Sequence, residues 1–401
     1  MPEPLTVEVA IVGGGPAGLT AAIALAGAGV ETALIARPPV ADHRTTALLA
    51  GSVTALDTLG VWAGCEAQAA PLRVMRIVDA TARLIRAPEV RFSAAEIGLD
   101  AFGHNIENRH LLAALDARAK ELPSLHWIED EARAVDIGDT NVTIARSGGG
   151  AVTARLAIGA DGRRSLCRTA AGIETDGRSY PQTALTFNLR HSRPHQDIST
   201  EFHTESGPFT LVPLPGDRSS LVCVVAPREA EWIAALDGPA LDDEIERRSH
   251  SILGKITVEP GRGVFPLAVV TARMFGLNRV ALIGEAAHLM PPIGAQGLNL
   301  GLRDAAVIGE LVVAARRDGG DAGAPDLLVR YDRQRRADVT SRTMTVDLLN
   351  RTLLSDFLPL QSARGLGLYL IDRIGPLRRA VMREGVAPAA SQPRLMRGEA
   401  L

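Results

Sequence analysis

An apolar strand that runs directly into a glycine-rich turn and a helix constrains the fold of this chain more than any other feature. The strand is predicted over residues 6–12, the helix extends to about residue 28, and a second apolar strand is predicted over 31–36. In this βαβ unit Gly13, Gly15 and Gly18 form a GxGxxG motif. Such glycines allow a tight turn, close approach of a pyrophosphate to the backbone, and close packing of helix on strand. The segment therefore predicts an α/β fold that binds a dinucleotide.

One part of the dinucleotide fingerprint is missing. The second strand should end in an acidic residue for the adenosine ribose, whereas here it ends in Ala36 and Arg37. An arginine at this place is also compatible with the 2′-phosphate of NADP, so the motif alone leaves the dinucleotide open. Arg44, just beyond, is a candidate contact to phosphates or ribose, and a solvated arginine fits the sequence equally well.

Two further strand ends carry a carboxylate. Asp161 follows the apolar strand predicted over 156–158, and Glu285 follows the one over 280–283. Ligands of open α/β sheets bind at the carboxyl ends of strands. After Glu285 comes a loop rich in Pro and Gly, from 288 to 297, and then a helical pattern that begins at Leu298. Free N–H groups and the helix dipole at such a place favour a negatively charged ligand, although Gly and Pro are also ordinary turn residues.

The middle of the chain changes to β patterning. Residues 183–225 alternate in polarity between turn signals, which predicts an antiparallel sheet inserted into the nucleotide-binding fold, and 229–252 reads as helical. Asn105 and Asn108 are predicted to cap the helix that follows them. The chain leaves the nucleotide-binding fold and returns to it, so a cleft is expected between the two parts. We expect the nucleotide-binding domain at 1–70, 101–174 and 266–345, the substrate domain at 71–100 and 175–265, and a helical region at 346–401.

Composition narrows the partners and the compartment. A net charge of -3 gives no reason to expect nucleic acid as a partner. The three cysteines are scattered and lack metal-ligand spacing, so neither disulfides nor a metal site is expected, and a cytoplasmic location fits best. The N-terminus has no signal-peptide pattern. Residues 353–381 are rich in Leu, Ile and Arg, a pattern compatible either with packing on the protein or with peripheral contact with the inner face of a membrane.

Three motifs stand in a fixed order: GxGxxG at 13–18, GADG at 159–162, and GEAAH with PPIGAQGLNLGLRDA at 284–305. Together they resemble the class A flavoprotein aromatic monooxygenases of the p-hydroxybenzoate hydroxylase type, and in particular the ubiquinone-biosynthesis hydroxylases. The segments 47–62, 105–115 and 382–385 add to the likeness, which covers nearly the whole chain. The fold implied is a Rossmann-like FAD-binding domain of the GR2 type with an inserted antiparallel β-sheet substrate domain and a helical C-terminus.

The resemblance implies FAD as cofactor, NADPH or NADH as electron donor and O2 as co-substrate. The cofactor-binding residues it implies are Gly13, Gly15, Pro16, Ala17, Gly18, Arg44, Arg109, Asp161, Gly162, Gly284, Glu285, Pro292, Gly294, Gln296, Gly297, Leu298 and Asn299. Relatives carry Asp where this chain has Glu285, and an acid where it has Ala36. The contact to the ribityl chain at Glu285 and the contact to the ribose at Ala36 therefore stay undecided from the sequence.

The resemblance also implies a reaction. A flavin C4a-hydroperoxide hydroxylates an electron-rich ring, so that the flavin is the reagent and no side chain is assigned a catalytic role. Phe209, Pro213, Leu214 and Pro291 match segments that form the ring pocket in relatives, whereas His288 belongs to a motif in which histidine is structural. The substrate expected is a polyprenylated phenol, and association with other quinone-biosynthesis proteins is compatible with this role.

Other functions stay open from the sequence. They are hydroxylation of a small soluble phenol, a flavin-binding subunit that does not hydroxylate, and an NADP-dependent dehydrogenase as Arg37 suggests. A flavin halogenase is disfavoured because no WxWxxP-like segment surrounds Trp62, Trp127 or Trp232.

Overall fold

The computed structural model describes residues 5–38, 42, 44–81, 86–292, 294–354, 373–386 and 392–401. The strands are β1 (Leu5–Val12), β2 (Thr32–Ile35), β3 (Thr45–Leu49), β4 (Ala69–Pro71), β5 (Val74–Asp79), β6 (Val90–Ser93), β7 (Gly103–Glu107), β8 (Leu125–Ile128), β9 (Ala132–Ile137), β10 (Val142–Arg146), β11 (Ala151–Gly159), β12 (Thr175–His191), β13 (Ile198–His203), β14 (Pro208–Leu214), β15 (Arg218–Val225), β16 (Ile256–Val258), β17 (Gly263–Ala272), β18 (Gly276–Leu277), β19 (Val280–Leu282) and β20 (His288–Leu289). The helices are α1 (Pro16–Gly27), α2 (Ala50–Thr58), α3 (Asn108–Lys120), α4 (Leu166–Ala170), α5 (Pro227–Ala235), α6 (Gly238–Arg248), α7 (Gln296–Arg317), α8 (Pro325–Leu354) and α9 (Gly375–Val386).

The first sheet has the N-terminal strand at its centre. β1 pairs in parallel with β2 and β11, and β8 and β19 extend the parallel part on either side. β10 and β18 add antiparallel strands, and β9 pairs with β10. The helix α1 packs on α7 and α3, and its residues from 18 to 26 are buried. Because β1, β11 and β19 are parallel, their carboxyl ends meet at one edge of this sheet.

The second sheet is mostly antiparallel. Its strands follow the order β20-β17-β12-β15-β14-β13-β5-β6, with β16 also paired to β12 and with β13 and β5 parallel. Alternate side chains divide between two environments, as expected for a strand with a period of two. On β12, β14 and β15 the residues Leu185, Leu211 and Leu221 belong to a hydrophobic core that also contains Ile233 of α5 and Ile245 of α6. The other face of the sheet lines a cavity.

A third, small sheet is formed by strands that lie, along the chain, between strands of the two large sheets. It has the order β3-β7-β4 and is antiparallel throughout. The expected α/β fold with an inserted antiparallel sheet is confirmed, and the second sheet draws its strands from 74–93 and from 175–289. On this basis we propose the division into domains given above. Most of the predicted amphipathic stretch at 353–381 lies outside the described residues, because these resume only at 373, shortly before α9.

Two local predictions were wrong. The helix expected over 229–252 is two helices, because Leu236 and Asp237 are extended and the Asp237 side chain caps α6 by accepting from the Ala240 N–H. Asn105 does not cap a helix, since it lies in β7, and Asn108 is the first residue of α3. The Asn105 amide instead donates to the Pro213 carbonyl at 2.9 Å and to the Ser220 hydroxyl at 3.0 Å.

Candidate cofactor and substrate site

The turn between β1 and α1 is shaped by contacts that only glycine permits. A Cβ at Gly18 would lie 2.0 Å from the Gly13 carbonyl oxygen, and a Cβ at Gly13 would lie 2.3 Å from that of Ala160. Gly13 also has a φ of +113°, which favours glycine. At Gly15, by contrast, a Cβ would meet nothing within 4 Å. Gly13 and Gly18 therefore set the close packing of helix on strand, while Gly15 faces open space where a ligand can approach the backbone.

Two helix N-termini open onto one cavity. α1 begins after Gly15 with Pro16 at its first turn, and α7 begins after Ala295, which has a left-handed φ of 53°. In neither helix does a side chain cap the first turn or an acidic residue occupy it. Both turns therefore keep backbone N–H groups and the positive end of the dipole for an anionic ligand.

The cavity has a volume of about 1120 Å³. Pockets for drug-sized ligands span roughly 300–1,000 Å³, so this one has room for a dinucleotide-sized ligand. The predicted cofactor residues among those that line it are Gly15, Pro16, Ala17, Gly18, Arg44, Gly162, Gly284, Glu285, Pro292, Gly294, Gln296, Gly297 and Leu298. The turn after β1, the strand end before Glu285 and the start of α7 thus face one space.

Glu285 stands at this cavity with a cationic neighbour. Its carboxylate lies 3.1 Å from Nε of Arg163, and each of the two side chains keeps 49% of its surface exposed. The preceding residue, Gly284, donates its N–H to the carboxylate of Asp304 at 2.9 Å. Because Asp304 is fully buried on α7, this bond fixes the strand end against the helix that follows the loop.

Asp304 is the centre of a buried charge cluster below the site. His288 Nε2 lies 2.7 Å from one of its oxygens, and Arg335 Nε donates to the other at 2.6 Å. Although burial opposes ionisation, the neighbouring His288 and Arg335 side chains and the Gly284 N–H hold the pKa of Asp304 below its usual value. His288 therefore bonds to Asp304 through Nε2, an arrangement compatible with a structural role.

Arg44 lies at the cavity in a bidentate pair with Asp42. Nε and Nη2 donate to the two Asp42 oxygens at 2.9 and 2.8 Å, and the Asn108 amide donates to Asp42 as well. Burial opposes ionisation of Asp42, but these hydrogen bonds keep its pKa below the usual value. The guanidinium also lies 5.9 Å from the ring centroid of Phe265 on β17, so it contacts the second sheet as well.

Three predicted cofactor residues use their side chains elsewhere. Asp161 accepts from the Ser165 hydroxyl and from the N–H groups of Leu166 and Cys167, so its carboxylate caps α4. Arg109 is paired with Glu107 at 3.0 Å. Asn299 is buried, and its amide joins α7 to β3 through the Ala47 carbonyl and the Leu49 N–H. These three side chains are not among the described groups that line the cavity.

On β14 the residues that line the cavity are offset by one position from the predicted substrate wall. Phe209 is buried in the core on the far side of the sheet, whereas Thr210 and Val212 line the cavity. Pro213 and Leu214 are likewise absent from the cavity lining in the described ranges, while Pro291 is present. Matching a segment does not fix which face of a strand turns inward, and a role of these three residues in the ring pocket stays a prediction.

Glu201 and His203 on β13 were missed. Both line the cavity, and His203 Nε2 lies 2.8 Å from the Glu201 carboxylate. The available signal was the alternation of polar residues in the segment STEFH, where Ser199, Glu201 and His203 share one face of an otherwise buried strand.

Neither a metal site nor a membrane span is found within the described residues. No group of three or more His, Cys, Asp or Glu side chains in these ranges could hold a metal ion. No helix in the described part of the chain is both long enough and apolar enough to cross a membrane. Arg37, which had suggested NADP, forms an exposed pair with Glu131 and does not line the cavity.

Comparisons with known proteins agree with this geometry. A family profile described as FAD binding domain matches residues 6–345. The chain is 36% identical to the ubiquinone hydroxylase UbiL of Rhodospirillum rubrum, over 98% of this chain and 92% of that protein. It is 31% identical to the 3-demethoxyubiquinol 3-hydroxylase of Escherichia coli, over 94% of this chain and 97% of that protein.

A solved structure supports the fold. The p-nitrophenol 4-monooxygenase PnpA of Pseudomonas putida superposes with a TM-score of 0.79 at 19% identity, over 96% of this chain and 100% of that one. The glycine turn, the two uncapped helix ends and the roomy cavity fit an FAD molecule. The chain thus belongs to the FAD-binding family of flavin-dependent monooxygenases that includes the ubiquinone hydroxylases.

Proposed function

We propose that this protein is an FAD-dependent monooxygenase that hydroxylates the ring of a polyprenylated phenol in ubiquinone biosynthesis, using NAD(P)H and O2. The observation that carries the proposal is that one cavity is lined on one side by the glycine turn and two helix ends and on the other by the second sheet. A cofactor held at the first wall would meet a substrate held at the second. The names of the two relatives above point to the same chemistry.

The chain's own groups bind and orient the cofactor. FAD, when bound, supplies the activation of O2 that ring hydroxylation needs. The N-terminus of α1 and the backbone at Gly15 are suited to the pyrophosphate, and Glu285 to hydroxyl groups of the ribityl chain. The N-terminus of α7 favours negative charge on a bound flavin by about 0.3–1 kcal/mol, rising to ~2 kcal/mol in a partly buried geometry.

The second sheet provides the surroundings for an apolar substrate. Val212, Val222, Phe265 and Leu267 are among the residues that line its side of the cavity. Such a wall excludes water, which strengthens polar contacts inside and suppresses side reactions. It also favours a prenyl tail, because each buried CH₂ contributes about 0.8 kcal/mol.

The decisive experiment is deletion of the gene followed by mass spectrometry of the quinone precursors. We expect an intermediate that lacks one ring oxygen to accumulate, and the wild-type gene to remove it. A Gly18→Ala variant, whose Cβ would collide with the Gly13 carbonyl, should fail to complement. Unchanged quinone levels would contradict the proposal and favour hydroxylation of a soluble phenol. A purified protein that binds FAD but shows no substrate-stimulated NAD(P)H oxidation would favour a non-hydroxylating subunit.

We further propose that the protein works in the cytoplasm at the inner face of the membrane. The support is the exposure of Ile374, Leu377 and Val381 at α9, together with the place of Val381 in the cavity lining. An apolar surface beside the cavity is suited to a substrate that resides in lipid. Flotation with phosphatidylglycerol vesicles should recover the wild-type protein but not a Leu377→Glu/Val381→Glu variant. Equal recovery of both would contradict membrane contact and favour association with another protein of the pathway.

A further inference from the structure

A carboxylate–imidazole pair faces the cavity from the middle of the second sheet. Glu201 and His203 are two residues apart on β13, so they share the face that lines the cavity. We propose that Glu201, held by His203, accepts a hydrogen bond from a ring hydroxyl of the substrate and so selects a phenol with a free O–H. The inference rests on the proposed function, because it presupposes an aromatic substrate in this cavity.

The Glu201 carboxylate has capacity left for a ligand. Its Oε1 lies 2.8 Å from His203 Nε2, and its Oε2 accepts from the Thr210 hydroxyl at a long 3.3 Å. An ionised carboxylate has about four acceptor positions, so two remain. The side chain keeps 23% of its surface exposed and lines the cavity, while that of His203 is only 3% exposed. Glu201 is thus the member of the pair that a ligand can touch.

The Glu201 carboxylate is not explained by a structural salt bridge. Within the described part of the chain the imidazole of His203 lies against this carboxylate, and no arginine or lysine forms an ion pair with it. A buried charge is costly unless it is paired and hydrogen-bonded, and buried ionisable groups that lack a strong counter-ion are concentrated at functional sites. Burial opposes ionisation here, but the contacts with His203 and Thr210 hold the pKa of Glu201 below its usual value. The group is therefore an acceptor at neutral pH.

An acceptor at this position has a clear chemical meaning. A carboxylate that is ionised cannot donate, so it favours a hydroxyl over a methyl ether or a hydrogen. A hydrogen bond from a phenol to a carboxylate also raises the electron density of the ring, which favours attack by an electrophilic oxygen. Sites built to hydrogen-bond a substrate hydroxyl reject analogues without it strongly, because the buried polar group is then left unpaired.

The test is a comparison of 3-octylphenol with its methyl ether, each titrated into the FAD-loaded protein and followed by the change in flavin absorbance. We expect the wild type to bind the phenol at least tenfold more tightly than the ether, which corresponds to about 1.4 kcal/mol. In Glu201→Gln the amide oxygen faces the His203 N–H and the amide N–H₂ is left for the substrate, so the preference should fall to about one. Glu231→Gln, an exposed change on α5, is the matched control and should keep the preference.

A positioning role for His203 is tested by rescue. His203→Leu removes the contact to Glu201 and should lower the preference for the phenol, whereas His203→Gln provides an N–H in its place and should restore most of it. FAD content and melting temperature measured on each variant report folding separately. Restoration by Gln distinguishes positioning from simple filling of space, because Leu also fills the site.

The outcomes separate this inference from the function on which it rests. If the wild type prefers the phenol and Glu201→Gln keeps that preference, the assignment of Glu201 is refuted while the hydroxylase function stands. If the wild type binds neither probe, the result contradicts both the role of Glu201 and the proposed hydroxylase function. If the wild type binds both probes equally, the cavity holds an apolar ring but does not recognise its hydroxyl group, and the inference is refuted.

Discussion

Replacing Asp304 with Asn tests the buried charge cluster beneath the candidate cofactor site. Asp304 accepts three hydrogen bonds, from the Gly284 N–H at 2.9 Å, from His288 at 2.7 Å and from Arg335 at 2.6 Å. Asn offers one oxygen instead of two. Its N–H₂ group must therefore face either Arg335 Nε or the Gly284 N–H, and both of these are donors.

The expected loss of stability is large. Arg335 has only 2% of its side chain exposed, so loss of the Asp304 charge leaves a buried guanidinium with Asp338 as its remaining partner. Removing one member of a buried ion pair costs roughly 3–5 kcal/mol, because the other charge is left uncompensated. Native proteins are stable by only about 5–15 kcal/mol, so Asp304→Asn should lose a substantial part of the free energy of unfolding.

Urea denaturation followed by circular dichroism measures this difference, and its dependence on pH checks the charge. The pKa of Asp304 in the folded protein lies below its ordinary value of 3.8, with burial opposing and His288 and Arg335 causing the shift. Its contribution is therefore fully present above pH ~4 and is lost as the pH falls through the folded pKa. Ionisation of Asp304 should therefore leave the difference in free energy of unfolding between wild type and Asp304→Asn unchanged from pH 5 to 8. The difference should become smaller in more acidic solution.

A matched control is Asp116→Asn, which removes the partly exposed partner of the exposed Lys120 on α3. Exposed pairs contribute little, so the denaturation midpoint of this variant should equal that of the wild type within error. The reasoning is refuted if Asp304→Asn unfolds at the same urea concentration as the wild type at pH 7. It is also refuted if the two substitutions cost the same.

Three further outcomes are expected. Gly18→Ala should purify with at least tenfold less FAD than wild type, because its Cβ would lie 2.0 Å from the Gly13 carbonyl, whereas Gly27→Ala on the same helix meets nothing within 4 Å and should retain the cofactor. Glu285→Gln should weaken FAD binding in a fluorescence titration but change stability by less than about 1 kcal/mol, since its pair with Arg163 is half exposed; an unchanged dissociation constant would remove Glu285 from the site. A thiol reagent at pH 8 should modify none of the cysteines in the folded protein and all three after unfolding, because burial raises the pKa of Cys65 to about 11 and that of Cys223 to about 12, and Cys167 is buried as well; rapid labelling of the native protein would show that these thiols open to solvent.

Local chemistry in the sequence determined the nucleotide-binding part of this protein. Glycine spacing after an apolar strand has a steric cause, since Gly13 and Gly18 are the positions where backbone and helix come too close for a Cβ. Apolar strands followed by a carboxylate or a glycine loop also predict which strand ends meet, because parallel strands share one carboxyl edge. The pattern of residues is therefore sufficient to place Gly15, Glu285 and the start of α7 at one site.

Tertiary structure alone decided how side chains are used within that frame. The folded structure showed that Asp161 caps α4 and that Arg109 pairs with Glu107, although both partners lie close by in the sequence. Which face of β14 meets the cavity depends on packing against α5 and α6, which placed Phe209 in a core and Thr210 at the wall. The buried Asp304 cluster became visible only where separate segments of the chain meet, and the place of the Glu201–His203 pair at the cavity followed only from the packing of β13 in the second sheet, because the energy of a charge is set by the burial and neighbours that folding supplies.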